Sequence, residues 1–122
     1  MREIVKRMFS EIEFGHDNMI DKQFSIRDRI VREGYNQYRY YLWGSNIFTK
    51  KADGTIEFSF CGYMTDTTKN RIRDFMCHEV HFSCSVYQKD WQIYLMIGDS
   101  DIEIDTHKRY SINVKTREVK AI

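Results

Sequence analysis

The dipeptide Asp53-Gly54 lies between two apolar-alternating runs, with a helix start close behind, and this leaves the middle of the chain little choice of fold. A tight type I′ turn needs positive φ at both central residues, which Asp and Gly tolerate best, so the pair predicts a two-residue hairpin. Asn46 to Lys51 reads as the first strand and Thr55 to Tyr63 as the second. Ile56, Phe58 and Phe60 then share one face, and Thr55, Glu57 and Ser59 the other. Thr65 or Asp66 can accept from the free amides of a first helical turn. Ile72, Phe75 and Met76 follow at i, i+3 and i+4, a stripe suited to the hairpin's apolar face. Lys69, Arg71, Arg73 and Asp74 are expected to make up much of the helix's solvated side.

These residues also carry a resemblance. Leu42-Trp43-Gly44-Ser45-Asn46-Ile47, then a turn, then Cys61-Gly62-Tyr63-Met64-Thr65-Asp66-Thr67-Thr68-Lys69-Asn70-Arg71-Ile72 resembles a pattern in short phage and prophage proteins. There a Gly-x-Asn-Ile-like strand precedes a Gly-aromatic-x-Thr-x-Thr-Thr-Lys/Arg-x-Arg-Ile/Leu helix start. The similar span covers roughly a quarter of the chain and departs from the pattern at Arg73, where Asn is common. The resemblance implies a viral or mobile-element origin and assigns no catalytic residue.

A chain of 122 residues is expected to form a single domain, residues 1–122, large enough to bury a core unaided. Hydrophobic content of 42% with 15% aromatics argues against disorder, since such a chain can offset its ordering entropy. The formal charge is +1, with both signs interspersed, so no global field draws the chain to nucleic acid or membrane. Proline is absent, and no linker, repeat or low-complexity tract is visible. The first residues are too charged for a secretory signal and the apolar runs are short, which predicts a soluble protein of the host-cell cytoplasm. Cys61, Cys77 and Cys84 form no CxxC pair and are expected as reduced thiols, at least two of them buried.

Taken in order, Arg2 to Phe14 predicts an amphipathic helix with Ile4, Val5, Met8, Phe9 and Ile12 as its stripe, ended by Gly15 to Asn18. Ser25 to Glu33 predicts a second helix, stopped by Gly34. Tyr35 to Trp43 predicts a strand with Tyr38, Tyr40 and Leu42 on one face and Arg39, Tyr41 and Trp43 on the other. Either it is an aromatic platform for stacking or binding, or it is covered on both faces. Glu79 to Gln88 and Trp91 to Gly98 predict a hairpin across Lys89-Asp90. Val80, Phe82, Cys84 and Val86 would point inward, His81, Ser83, Ser85 and Tyr87 outward, and Trp91, Ile93, Leu95 and Ile97 would face the core. Asp101 to Asp105 continues the meander, and Arg109 to Val114 with Glu118 to Ile122 closes it. The fold class is α+β: a mostly antiparallel sheet of five to seven strands packed against two or three helices.

Three constellations could carry chemistry. Cys77 to Cys84 contains two Cys and two His, but not at HExxH spacing, and on a strand the four do not converge, so no metal site is assigned. Asp99, Asp101, Glu103 and Asp105 would project as an acidic ridge about 6–7 Å apart, near the spacing of successive phosphates. It could engage a basic groove, hold a divalent cation, or be only a solvated face over Ile102 and Ile104. Glu118 and Lys120 share a strand face with no partner acid.

No cofactor motif, phosphate loop or nucleophile elbow is present. The leading expectation is therefore a small non-enzymatic interaction protein whose ridge binds a host or viral protein. An anti-CRISPR-like inhibitor of a host defence nucleoprotein is one form of it. The alternative is a nucleic-acid-binding module using Arg39, Tyr41, Trp43, Lys50, Lys51, Lys69, Arg71 and Arg73. Free nucleic acid as a partner and the oligomeric state are left open.

Overall fold

A computed structural model describes residues 2–14, 19–34, 36–80 and 82–122. The elements are α1 (Glu3–Phe14), β1 (Met19–Gln23), β2 (Asp28–Glu33), β3 (Tyr38–Leu42), β4 (Ser45–Lys50), β5 (Ile56–Ser59), α2 (Asp66–Glu79), β6 (Cys84–Lys89), β7 (Gln92–Ile97), β8 (Ser100–Ile104), β9 (Arg109–Ile112) and β10 (Val119–Ala121). They form a seven-stranded antiparallel sheet in the order β1-β2-β3-β4-β5-β9-β10 and a separate three-stranded sheet, β6-β7-β8. The fold is thus α+β as the sequence predicts. The meander does not run on through β8, because β9 returns to pair with β5.

One core joins the layers. Phe58, Phe60, Ile72 and Phe75 belong to it together with Val5, Met8, Phe9 and Ile12 of α1. The Phe75 ring lies 4.4 Å from Tyr40, 4.7 Å from Phe9 and 5.3 Å from Phe48. Tyr38, Tyr40 and Leu42 are the buried face of β3, while Arg39 and Tyr41 are half-exposed, so only one face of that strand is covered. The expected end of α1 at Gly15 to Asn18, Tyr35 in the aromatic run and the outward His81 lie outside the described residues.

The Asn46 side chain explains the start of the hairpin. Tyr40 pairs with Phe48 but Tyr41 pairs with Asn46, so Ile47 is the extra residue of a β-bulge and is buried beside Phe48. Asn46 Nδ2 donates to the carbonyls of Tyr40 and Phe48, 3.1 Å each, satisfying acceptors the bulge would otherwise strand. At the far end, Lys51 N donates to Thr55 O and Gly54 N to Lys51 O. Only Gly54 has positive φ there, at 89°. Asp53-Gly54 therefore closes a three-residue loop with a left-handed glycine, not the expected two-residue type I′ turn. Thr65 caps α2, its Oγ1 accepting from Thr68 N at 3.2 Å.

The expected helix over Ser25 to Glu33 is not formed. Residues 28–33 are β2, paired with β1 and β3. Its inward residues are Asp28, Ile30 and Arg32, so two charged side chains mask the period-two apolar pattern. Both find partners inside: Arg32 Nη1 donates to Ile12 O near the end of α1 at 2.7 Å, and Asp28 meets Arg71. Arg71 is correspondingly 2% exposed and Asp74 is buried, so neither lies on a solvated helix face as expected. The second hairpin also shifts. α2 runs through Glu79, β6 begins at Cys84, and the two-residue turn is Asp90-Trp91, both at positive φ. Trp91 is 86% exposed instead of facing the core with Ile93, Leu95 and Ile97.

Candidate interaction surface

The strand register gathers several loops at one end of the larger sheet. Asp28 sits opposite Leu42, Leu42 opposite Ser45, and Ser59 opposite Arg109. The segment 24–27, the turn Trp43-Gly44, the stretch 60–64 and the loop 105–108 therefore all emerge at that end. The hairpin tip carrying Trp91 joins them, since Trp91, Met64, Glu103, Asp105 and Lys108 line one cleft. Of the exposed large apolar residues, Ile26, Trp43, Tyr63, Met64 and Trp91 belong to this end, while Met19 lies at the opposite end of the sheet and Ile122 at the chain's last position. Both tryptophans of the chain occupy left-handed turn positions, with φ of 52° and 65°. A bulky residue there is sterically disfavoured, and its exposed indole gains little from burial.

The expected ridge runs along β8 of the small sheet, with Glu103 and Asp105 at the Trp91 cleft and Asp99 at the other end of the strand. β8 is an edge strand paired only with β7. Asp101 and Glu103 are exposed opposite Met96 and Tyr94, and Asp99 and Asp105 are exposed at either end of the strand. Ile102 is half-buried and Ile104 buried beneath them. Among the described residues, no lysine, arginine or histidine pairs with Asp99, Asp101, Glu103 or Asp105. Two neighbouring rings frame the ridge: Tyr87 stacks on Tyr94 with centroids 5.2 Å apart. Desolvation, then its hydrogen bond to Asp101, raises the Tyr87 phenol above its ordinary value. Asp105 Oδ1 accepts from His107 N at 2.9 Å, which shapes the loop beside the cleft.

The alternative basic set is divided and neutralised. Arg39 and Tyr41 face outward on β3, whereas Lys50 reaches Glu79 of α2, 3.0 Å away, on the sheet's other side. Arg39 pairs with Glu33, and Lys51 with Glu57, whose hydrogen bond raises the Lys51 pKa. Lys69 pairs with Asp66 at 3.0 Å and Arg73 with Asp74 at 3.5 Å. The Tyr41 ring is covered by the Arg29 guanidinium, 5.2 Å from its centroid. Trp43 alone of this set remains an open aromatic.

Arg71 belongs to a buried cluster. Its Nε donates to Asp28 Oδ1 at 2.9 Å, Ser25 Oγ donates to Asp28 Oδ2 at 2.6 Å, and the Tyr40 hydroxyl also donates to Asp28 Oδ1. Burial alone would raise the Asp28 pKa, but the bonds from Arg71, Ser25 and Tyr40 outweigh it and hold the carboxyl below its ordinary value. Tyr40 is pushed far above the ordinary phenol range, by burial first and then by Asp28. The cluster locks β2, β3 and α2 together and presents no open site.

The cysteines and histidines also differ from expectation. None of the three cysteines is fully buried, and Cys77 is exposed. Cys77 and His78 lie on α2, not on a strand, with His78 stacked on Phe9 and paired with Glu13. Among the described residues, no three His, Cys, Asp or Glu side chains gather as a metal site. Glu118 and Lys120 pair with each other at 3.3 Å on the exposed β10. No described helix is long and apolar enough to cross a membrane.

Comparison with known proteins adds one match. A family model described as Kyanoviridae Gp96 protein matches residues 1–116. No curated protein and no solved structure matches the chain.

Proposed function

Starting from the chain's place in the Kyanoviridae Gp96 protein family, and so from a phage protein, we propose that it is a non-enzymatic interaction protein acting through the surface formed by Trp91 and the carboxylates along β8. One observation carries the reading. Asp99, Asp101, Glu103 and Asp105 have no cation of their own among the described residues, whereas each candidate cation from Arg39 to Arg73 is held by a carboxylate of the same chain. The surface offers unspent negative charge beside exposed indole and thioether, which suits a basic protein surface better than a phosphate backbone. Tryptophan at the rim of a charged cleft supplies a face for a partner's guanidinium or ammonium group.

The partner is a basic, nucleic-acid-binding protein of the host or of the virus. For a phage, occupying such a groove would block a host defence nucleoprotein in the manner of an anti-CRISPR protein. Direct nucleic-acid binding is the weaker reading, because its charges are already paired and lie on opposite sides of the sheet.

The test compares the unaltered chain with Asp101→Asn/Glu103→Gln/Asp105→Asn as bait in host lysate, with and without nuclease treatment. Retention of a basic protein by the former, released by salt and lost with the latter, is the expected result. Equal retention by both baits, or retention that vanishes with nuclease, removes the ridge from the mechanism. The triple variant should unfold at the same urea concentration as its parent, since exposed substitutions rarely change stability by more than about 0.5 kcal/mol.

A further inference from the structure

Two thiols that are separated along the chain meet at the junction of the helix with the small sheet. Cys77 lies in the last turns of α2 and Cys84 is the first residue of β6, seven positions later. Their Sγ atoms are 3.3 Å apart, and Cys77 Sγ is 3.5 Å from the Cys84 carbonyl. Cys77 is exposed and Cys84 half-buried. The third thiol, Cys61, is elsewhere, its Sγ 3.4 Å from the Asn46 carbonyl.

We propose that Cys77 and Cys84 form a reversible dithiol–disulfide site that exchanges with low-molecular-weight disulfides of the glutathione class. The exposure difference orders the chemistry. Cys77, as thiolate, attacks one sulfur of the small disulfide, forming a mixed disulfide and releasing one thiolate, which takes up the proton Cys77 lost. Cys84 then gives up its proton, and its thiolate attacks the Cys77 sulfur. The Cys77–Cys84 bond forms as the mixed disulfide breaks, and the second small thiol leaves. Two cysteine thiols are oxidised and one external disulfide is reduced to two thiols.

Geometry alone makes the second step intramolecular, because the resolving sulfur is already in contact with the sulfur it must attack. Burial, then the neighbouring Cys77, pushes the Cys84 thiol up to about 12, which leaves the exposed thiol as the entry point. The consequence is structural. The same helix end carries His78, paired with Glu13 of α1, and Glu79, paired with Lys50 of β4. A bond here would tie the small sheet, and the ridge on it, covalently to the node where α1, α2 and the larger sheet meet.

The experiment equilibrates the folded chain in buffers of increasing oxidised-to-reduced glutathione ratio, quenches with acid, alkylates under denaturing conditions and measures intact mass. Reduced protein carries three alkyl groups, one per cysteine. The expected oxidised product carries a single group, mapped to Cys61, on a chain about 2 Da lighter. Cys77→Ser and Cys84→Ser should each abolish that product, Cys84→Ser stalling as the glutathione adduct on residue 77. Closing so short a loop should also favour the folded state roughly 50- to 100-fold in the unfolding equilibrium. Three alkyl groups persisting in the most oxidising buffer, or a stable glutathione adduct on the unaltered chain, would overturn the proposal.

Discussion

Replacing Asp28 by Ala tests whether the buried cluster holds β2 in place. The two side chains of the central pair are 1% and 2% exposed, so solvent cannot stand in for whichever is lost. Removal strips Arg71 of its carboxylate and leaves the Tyr40 and Ser25 hydroxyls without their acceptor. Hydrogen bonds to a charged group contribute about 1.5–3 kcal/mol each, partly offset because the carboxylate no longer has to be desolvated. The net cost of breaking such a pair from one side is about 3–5 kcal/mol, a large share of the roughly 5–15 kcal/mol that holds a domain together. Asp28→Asn keeps the volume and one acceptor but not the charge, and should cost nearly as much. Asp28→Leu with Arg71→Met and Tyr40→Phe removes every charge and hydroxyl but Ser25, and should recover most of the loss. Urea unfolding of the single and multiple variants, read by far-ultraviolet circular dichroism, supplies the cycle. If Asp28→Ala costs less than about 1 kcal/mol, or if the losses simply add, the cluster is not what secures β2.

Two further outcomes are expected. The Asp28 and Glu57 carboxyls are both held below their ordinary values, burial opposing the shift and hydrogen bonds from Arg71 or Arg109 overcoming it. The unfolded chain therefore binds more protons than the folded one in the acid range, so stability is complete above about pH 5 and falls as these groups protonate below about pH 4. Urea midpoints that stay level down to about pH 3 would contradict this, and Asp28→Asn should flatten the decline. Separately, Trp91→Gly relieves a left-handed tryptophan costing about 1–2 kcal/mol, against about 0.5–1 kcal/mol of added glycine entropy. The variant should be about 0.5–1 kcal/mol more stable while capturing less partner. A loss of more than about 1 kcal/mol would mean the indole packs as core.

What could be read from the chain was mostly local. Ile72, Phe75 and Met76, the Thr65 cap and the alternation Ile56-Phe58-Phe60 depend on periodicities a few residues long, and each appears where the pattern puts it. β2 was illegible because its inward residues include Asp28 and Arg32, whose burial depends on partners elsewhere, Arg71 lying 43 positions away. The same distance hid the burial of Arg71, which a helical wheel places among solvated cations. The place of Trp91 turns on one step of turn register: starting the turn at Lys89 sends it to the core face, and starting it at Asp90 sends it to the tip. The contact of Cys77 with Cys84 was invisible for a similar reason, since extending a strand through residues 79–84 points those two sulfurs apart.

The two tryptophans join these strands of argument. A hairpin tip selected only for folding would carry Asn, Asp or Gly at left-handed positions, because those residues adopt them at little cost. Here the first of the two positions in one turn and the second in another are tryptophan, and both side chains are largely in solvent. Neither propensity nor packing accounts for that placement, and strain of this kind collects where a surface is used. The carboxylates along β8 find no cation among the described residues, as is also true of the surface residues Glu3, Asp53 and Asp90, whereas the buried charges Asp28 and Arg71 are paired with each other. Strain and apolar exposure are separate costs, whereas the exposed carboxylates beside them are solvated and cost little by being unpaired. The proposed partner, a basic surface able to cover an indole, would relieve the first two and pair with the carboxylates.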